Sequence, residues 1–114
     1  MPRKFGDESF CKGVSFHGPS DPKDIEALIL KVIEAIGMKP IFETTVYTWT
    51  EDGIGFISIQ PLYESCVVVD YWPCHNGGYL YVMSCKDFNS DDVARALSDN
   101  GYKSLVGQRF KLWL

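Results

Sequence analysis

The chain has 114 residues, the length of one typical domain, and 46% of them are hydrophobic while 23% are charged. This composition is that of a globular protein and excludes an intrinsically disordered chain. The net charge of −4 and the lack of any basic run longer than two residues argue against nucleic acid and anionic membrane as partners. No apolar run is long enough to span a membrane, and the charged beginning of the chain does not read as a signal peptide, so we expect a cytoplasmic protein.

The chain has four cysteines, which do not form a C-x-x-C pair, and two histidines; the cysteines are Cys11, Cys66, Cys74 and Cys85. A structural zinc site usually takes its four ligands in close pairs, so we expect no metal site. Without a signal peptide we also expect reduced thiols rather than disulfides.

The first half of the chain predicts a strand over 10–16 and a helix over 22–36. Asp21 is a good N-cap, and Pro22 stands at the first helical position. The apolar residues that follow recur with the period of a helix until Gly37 ends it; they are Ile25, Leu28, Ile29, Val32, Ile33 and Ile36. This spacing predicts a helix with one buried face.

Four strands are predicted next, over 41–50, 54–60, 64–72 and 79–85, with turn signals at Asp52-Gly53 and Asn76-Gly77. Asn89 or Ser90 caps a short second helix, and a last strand covers 104–113. Consecutive strands joined by short turns are largely antiparallel. We therefore predict one α+β domain over 1–114, a two-layer sandwich whose mainly antiparallel sheet carries two helices on one face.

Many aromatic residues lie on or near the predicted strands, among them Tyr47, Trp49, Tyr63, Tyr71, Trp72, Tyr79 and Tyr81. If both helices cover the same face of the sheet, part of this aromatic area is left on the other face. Apolar area of that size marks an interface or a binding site. We expect a homodimer, with a ligand as the alternative occupant.

A set of motifs with fixed spacing runs from Trp49-x-x-x-Gly53 to Cys85. It continues through Glu64-Ser65, Trp72-Pro73 and Gly78-Tyr79. This pattern, together with the order of the elements, resembles the bacterial and archaeal S-adenosylmethionine decarboxylases. The resemblance implies a lyase of spermidine and other polyamine biosynthesis that decarboxylates S-adenosylmethionine, with a pyruvoyl group as the electron sink.

The resemblance also implies a role for particular residues. The bond between Glu64 and Ser65 would be cut autocatalytically, and Ser65 would become the pyruvoyl group. Cys85 would donate a proton to the substrate carbon, and Trp49 would stack on the adenine. Since Ser65 and Cys85 lie almost symmetrically about the turn at 74–78, either Ser65 or Cys66 is expected to face Cys85.

Three positions depart from the family pattern. Cys66 and Asp70 stand where the family has histidines, and Asp70 takes the place of the one that assists processing. Cys74 stands where the family has a glutamate that binds the ribose hydroxyls. The family's helper serine corresponds to Gly55 or Ile57, with Ser58 nearby.

These departures leave two other functions open. An uncleaved relative would keep the fold and act as a ligand-binding or regulatory subunit. Alternatively, Cys66, Cys74 and Cys85 would form a cluster with Asp70 and carry out thiol chemistry.

Overall fold

The computed structural model describes residues 10–49 and 55–105. Within these ranges the chain forms β1 (Phe10–His17), α1 (Pro22–Ala35), β2 (Thr45–Trp49), β3 (Gly55–Pro61), β4 (Ser65–Trp72), a 3₁₀ helix (Pro73–His75), β5 (Gly77–Ser84), α2 (Ser90–Asp99) and β6 (Lys103–Leu105). The elements follow the predicted order. The predicted turn at Asp52-Gly53 and most of the predicted last strand lie outside the described residues.

The described strands form one sheet in the order β2-β3-β4-β5-β1-β6, and every neighbouring pair is antiparallel. Helix α1 contacts β3 and β4, and α2 contacts α1 and β1. Alternate strand residues are buried beneath the helices, among them Val14, Phe16, Phe56, Val67, Val69, Tyr71, Leu80 and Val82. The predicted two-layer architecture, with both helices on one face of the sheet, is confirmed.

Both helices begin at the predicted caps, and α1 buries its predicted apolar residues. Asp21 and Asp24 form a capping box at the start of α1, and Gly37, with a φ of 69°, follows its end. Asn89 caps α2 by accepting a hydrogen bond from the N–H of Asp91. In the described part of the chain no helix is long and apolar enough to cross a membrane.

The strand predicted over 41–50 begins only at Thr45, because a bulge interrupts it. Pro40 bridges to Leu62 while Thr45 pairs with Ile59, so residues 41–44 stand opposite only residues 60 and 61. Gln60, 2% exposed, fills the bulge: its amide donates to the carbonyls of residues 41, 42 and 61, and its oxygen accepts from the Thr44 hydroxyl. The side-chain amide of Gln60 therefore provides hydrogen-bond donors for three backbone carbonyls in this irregular part of the sheet.

Strand β5 begins at Gly77, two residues before the predicted start. A β-carbon on Gly77 would lie 2.3 Å from the carbonyl oxygen of Phe16, and one on Gly78 would lie 1.9 Å from that of Asp70. Only glycine fits where β5 approaches its neighbours this closely. The Asn76-Gly77 signal favours a turn at this point, so the predicted strand begins later than the observed one.

The face of the sheet that carries no helix is called the open face below. Strand alternation places on it, among others, Ile57 and Ile59 of β3, Cys66, Val68, Asp70 and Trp72 of β4, and Tyr79, Tyr81 and Met83 of β5. Asp70 is the only acidic residue that the described strands place there. The open face is therefore largely apolar and aromatic, with one carboxyl group near its centre.

Candidate active site

The bond between Glu64 and Ser65 lies at the first residue of β4, where Ser65 is exposed. The N–H of Cys85 donates a hydrogen bond of 3.1 Å to the carbonyl oxygen of Glu64, and the N–H of Leu62 donates to that of Ser65 at 2.8 Å. The carbonyl that the Ser65 hydroxyl would attack is thus already bonded to a backbone donor. Such a donor stabilises negative charge that develops on the oxygen.

Cys85 lies next to this bond, but its partner across the hairpin differs from both predicted ones. The register pairs Ser65 with Ser84 and Cys66 with Met83, so Cys85 stands opposite Glu64. By alternation Ser65 belongs to the helix-covered side of β4, whereas Cys85 follows Met83 of the open face. A contact between the hydroxyl and the thiol therefore has to be made around the ends of the strands.

The segment after α1 contacts the acyl side of the same bond. The Lys39 N–H donates to a carboxylate oxygen of Glu64 at 3.4 Å, and the Tyr63 N–H donates to the Lys39 carbonyl at 3.1 Å. The Lys86 ammonium donates to the carbonyl of Gly37 at 3.2 Å. Backbone and side-chain contacts therefore fix Glu64 from two directions.

Asp70 lies near the centre of the open face, between Ile57 of β3 and Tyr79 of β5. Burial raises the pKa of its carboxyl group. Burial, and to a lesser degree the charge of Asp70, raises the pKa of Tyr81 as well. Five residues of extended strand separate Asp70 from Ser65, about 17 Å. Within one chain, therefore, Asp70 does not reach the bond that it was predicted to help cut.

A cavity of about 210 Å³ lies at the opposite end of β4. It is lined by Trp72 and Tyr79, whose rings meet edge to face at 5.8 Å, and by both histidines, His17 and His75. Gly77 stands between Trp72 and His17 in the register and leaves the gap between their side chains. Sequence reasoning missed His17, because nothing in its neighbours shows that β1 pairs with β5.

The predicted residues for substrate binding lie toward this end of the sheet. Trp49 ends β2, where it pairs with Gly55, and Cys74 is exposed in the 3₁₀ helix two residues after Trp72. The contact of Trp49 with adenine stays a prediction.

The predicted cluster of Cys66, Cys74 and Cys85 with Asp70 is wrong. Cys66 lies at the beginning of β4 and Cys74 after its end, so the strand between them separates the two thiols by about 20 Å or more. Cys66 instead approaches Cys11, on the other side of Met83, and burial together with the Cys66 charge raises the pKa of Cys11. All four cysteines are free, and no group of three or more potential metal ligands forms within the described residues.

None of the positions predicted for the helper serine lies opposite Ser65 in the register. Gly55 and Ile57 lie on the open face, whereas Ser58 pairs with Val69 on the helix-covered face. Ser58 is fully buried, and its hydroxyl has no hydrogen-bond partner among the described residues. Its partner Val69 is four residues along β4 from Ser65, about 13 Å, which separates Ser58 from the Glu64–Ser65 bond.

Comparison with known proteins agrees with the pattern of residues around this bond. The family model described as S-adenosylmethionine decarboxylase matches residues 11–101. The crystal structure of the adenosylmethionine decarboxylase from Aquifex aeolicus VF5 has the same fold, with a TM-score of 0.55 and 16% identity over 90% of this chain and 92% of that chain. No curated protein matches the sequence. This match covers most of the chain, including the Glu64–Ser65 bond at the start of β4 and Cys85 after the end of β5. The chain therefore belongs to the S-adenosylmethionine decarboxylase family.

Proposed function

We propose that the chain is the proenzyme of a pyruvoyl-dependent decarboxylase of the S-adenosylmethionine type, cut between Glu64 and Ser65 and acting as a homodimer. The enzyme would act in the cytoplasm, and its product would be an aminopropyl donor for polyamine synthesis. The observation that carries this proposal is the 3.1 Å hydrogen bond from the Cys85 N–H to the Glu64 carbonyl oxygen. It polarises the one carbonyl that self-cleavage has to attack.

In the proposed cut, the Ser65 hydroxyl attacks the Glu64 carbonyl carbon, and the Cys85 N–H stabilises the negative charge on the oxygen. The Ser65 nitrogen leaves and takes up a proton, which gives an ester. A base then removes the α-proton of Ser65, the Glu64 carboxylate leaves, and the remaining dehydroalanine is hydrolysed to pyruvoyl. One water enters and one ammonia leaves. The resulting group supplies the electron sink for decarboxylation.

A second copy of the chain would supply the base. Asp70 is about 17 Å from Ser65 along its own strand, too far for proton transfer. If two open faces pack with their β4 strands antiparallel, Asp70 of each copy would lie near Ser65 of the other. The base is the carboxylate form, which the pair holds in part as the pH approaches the raised pKa, and this form is a stronger base than an ordinary aspartate.

The same pairing would complete the substrate site. About 23 Å of β4 separates Ser65 from Trp72 in one chain, more than a small substrate spans. In the antiparallel pair, the cavity beside Trp72 and Tyr79 of one copy faces the Glu64–Ser65 bond of the other. The aromatic walls of that cavity suit the planar base of the substrate. The reacting carbon of the same substrate would then lie beside the pyruvoyl group formed from Ser65 of the other copy.

Release of labelled carbon dioxide from carboxyl-labelled S-adenosylmethionine tests the activity. We expect release by the wild type and none by Ser65→Ala. The matched control is Ser98→Ala, an exposed residue of α2, which should release as much as the wild type. Equal release by the wild type and Ser65→Ala would refute the role of Ser65.

The second candidate is an uncleaved relative that binds the same ligand. It is favoured by Cys66 and Asp70, which stand where the family has its histidines. In that case the wild-type chain stays whole and releases no carbon dioxide. It still gives heat on titration with S-adenosylmethionine, and Trp72→Ala abolishes the heat. Titration calorimetry of the wild type, Trp72→Ala and Ser98→Ala separates this function from an empty scaffold.

A further inference from the structure

Asp70 places a carboxyl group near the centre of the otherwise apolar open face. Its neighbours across the sheet are Ile57 on one side and Tyr79 on the other, and its own strand places Val68 and Trp72 beside it on the same face. A carboxyl group is thus set in an apolar and aromatic surface and is already partly shielded from water in the single chain. Covering this face removes most of the water that remains around the carboxyl.

Few groups near Asp70 could offset its charge. Strand β3 contributes only isoleucines to this part of the face, and β5 contributes tyrosines, which donate hydrogen bonds but carry no positive charge. The other titratable groups that the strands place on this face are Tyr47 of β2, Cys66 of β4, Cys11 and His17 of β1, and Lys103 of β6, which pairs with His17. In the register, the row of Asp70 and Tyr79 continues to Ser15 of β1, whereas His17 lies in the next open-face row with Gly77 and Trp72, so no cation adjoins the carboxyl in its own row among the described residues.

We propose that protonation of Asp70 controls whether two copies associate through their open faces. This inference rests on the association included in the proposed function. A charged carboxylate buried without a cationic partner opposes association, whereas the neutral carboxyl can be buried with its hydrogen bonded to a tyrosine or to the other copy.

Proton linkage gives the direction in which pH changes the association constant. Burial favours the neutral carboxyl, so the paired state binds more protons than the separate chains between the two carboxyl pKa values. Association is therefore strongest at low pH and is lost as the pH rises through the Asp70 pKa of the paired state. With one Asp70 in each copy, the association constant falls by up to about a hundredfold per pH unit in this window.

Sedimentation equilibrium from pH 5 to 8 tests the proposal with the wild type, Asp70→Asn, and two controls, Asp99→Asn and His17→Gln. Asp99 is exposed at the end of α2, on the other side of the sheet. We expect the wild type and both controls to associate less as the pH rises. Asp70→Asn should associate equally at all pH values, at least as strongly as the wild type at pH 5.

Three results would each overturn the proposal. They are loss of the pH dependence in His17→Gln, persistence of the pH dependence in Asp70→Asn, and a wild-type association constant that is the same at pH 5 and pH 8. The last result would leave the homodimer standing. Absence of association at every pH in all four chains would refute both the homodimer and its control by Asp70.

A measurement on the unaltered chain guards against a folding defect in Asp70→Asn. The carboxyl carbon of Asp70 can be titrated by NMR at low and high protein concentration. We expect a higher pKa at the higher concentration, and an equal pKa at both would contradict the proposal.

Discussion

Ser58 is a buried hydroxyl on the helix-covered face of β3, without a hydrogen-bond partner among the described residues. A buried polar group left unpaired costs about 1–3 kcal/mol. We therefore expect Ser58→Ala to raise the free energy of unfolding by about 1 kcal/mol in urea titrations. Ser84 is the matched control, because it is equally buried but its hydroxyl oxygen accepts a hydrogen bond from the Lys86 N–H. Ser84→Ala should destabilise the chain, and a loss of stability in both variants would contradict this interpretation of Ser58.

The partner of Cys85 shows what the sequence could not predict at the level of single residues. The spacing of Ser65 and Cys85 about the turn indicates that they lie close together, and the structure places them on neighbouring strands. The one-residue offset depends on the 3₁₀ helix over Pro73–His75 and on the left-handed Asn76. Neither has a strong sequence signal, so the choice between Ser65, Cys66 and Glu64 as the residue opposite was beyond prediction.

At the level of elements, the bulge at residues 41–44 depends on Gln60. Its side-chain amide makes four hydrogen bonds, three to backbone carbonyls and one to Thr44, and is almost fully buried. Gln60→Leu leaves these partners unsatisfied, so we expect the free energy of unfolding to fall by about 2–4 kcal/mol. Urea unfolding measures the loss.

Hydrogen exchange locates the effect of the same substitution. The amide of Ile41, which bonds to the Pro61 carbonyl, should exchange faster in Gln60→Leu, whereas the amides of α2 should lose protection only as far as global stability falls. A Gln60→Leu chain as stable as the wild type would show that the bulge does not need this amide.

Element prediction succeeded where a local pattern is strong. The apolar spacing in α1 and the caps of both helices predict the observed helices, because these signals are contained within one or two turns. The predicted start of β2 precedes the observed one because the bulge depends on Gln60, which bonds to residues 16 to 19 positions away along the chain. The predicted start of β5 follows the observed one because close strand packing requires Gly77 and Gly78 in the strand, and no local pattern indicates that packing.

At the scale of the whole molecule, the order of the strands decides which residues share a site. Strand β1 pairs with β5 and thereby brings His17 to the cavity beside Trp72. Periodicity predicts each strand and the antiparallel hairpins, but not the place of β1, which depends on long-range packing. Periodicity and short turns predict the architecture, the resemblance to the decarboxylases implies the candidate residues, and only the register shows that these residues occupy two separated ends of β4.

This separation makes the homodimer central to the proposed activity. A chain whose Ser65 and Trp72 lie about 23 Å apart needs a second copy to act on one small substrate. Mixing Ser65→Ala with Trp72→Ala tests this directly, because each mixed pair keeps one complete site. We expect carbon dioxide release from the mixture and none from either variant alone. An inactive mixture in which mixed pairs have been shown to form would contradict the shared site.

Intact mass spectrometry of the purified wild-type chain tests the central claim most directly. The account predicts that the 12.9 kDa species gives way to two chains, residues 1–64 and residues 65–114, the second beginning with a residue that has lost its nitrogen. Ser65→Ala should remain whole under the same conditions. A folded wild-type chain that is still 12.9 kDa after long incubation, across the pH range in which it associates, would contradict the account.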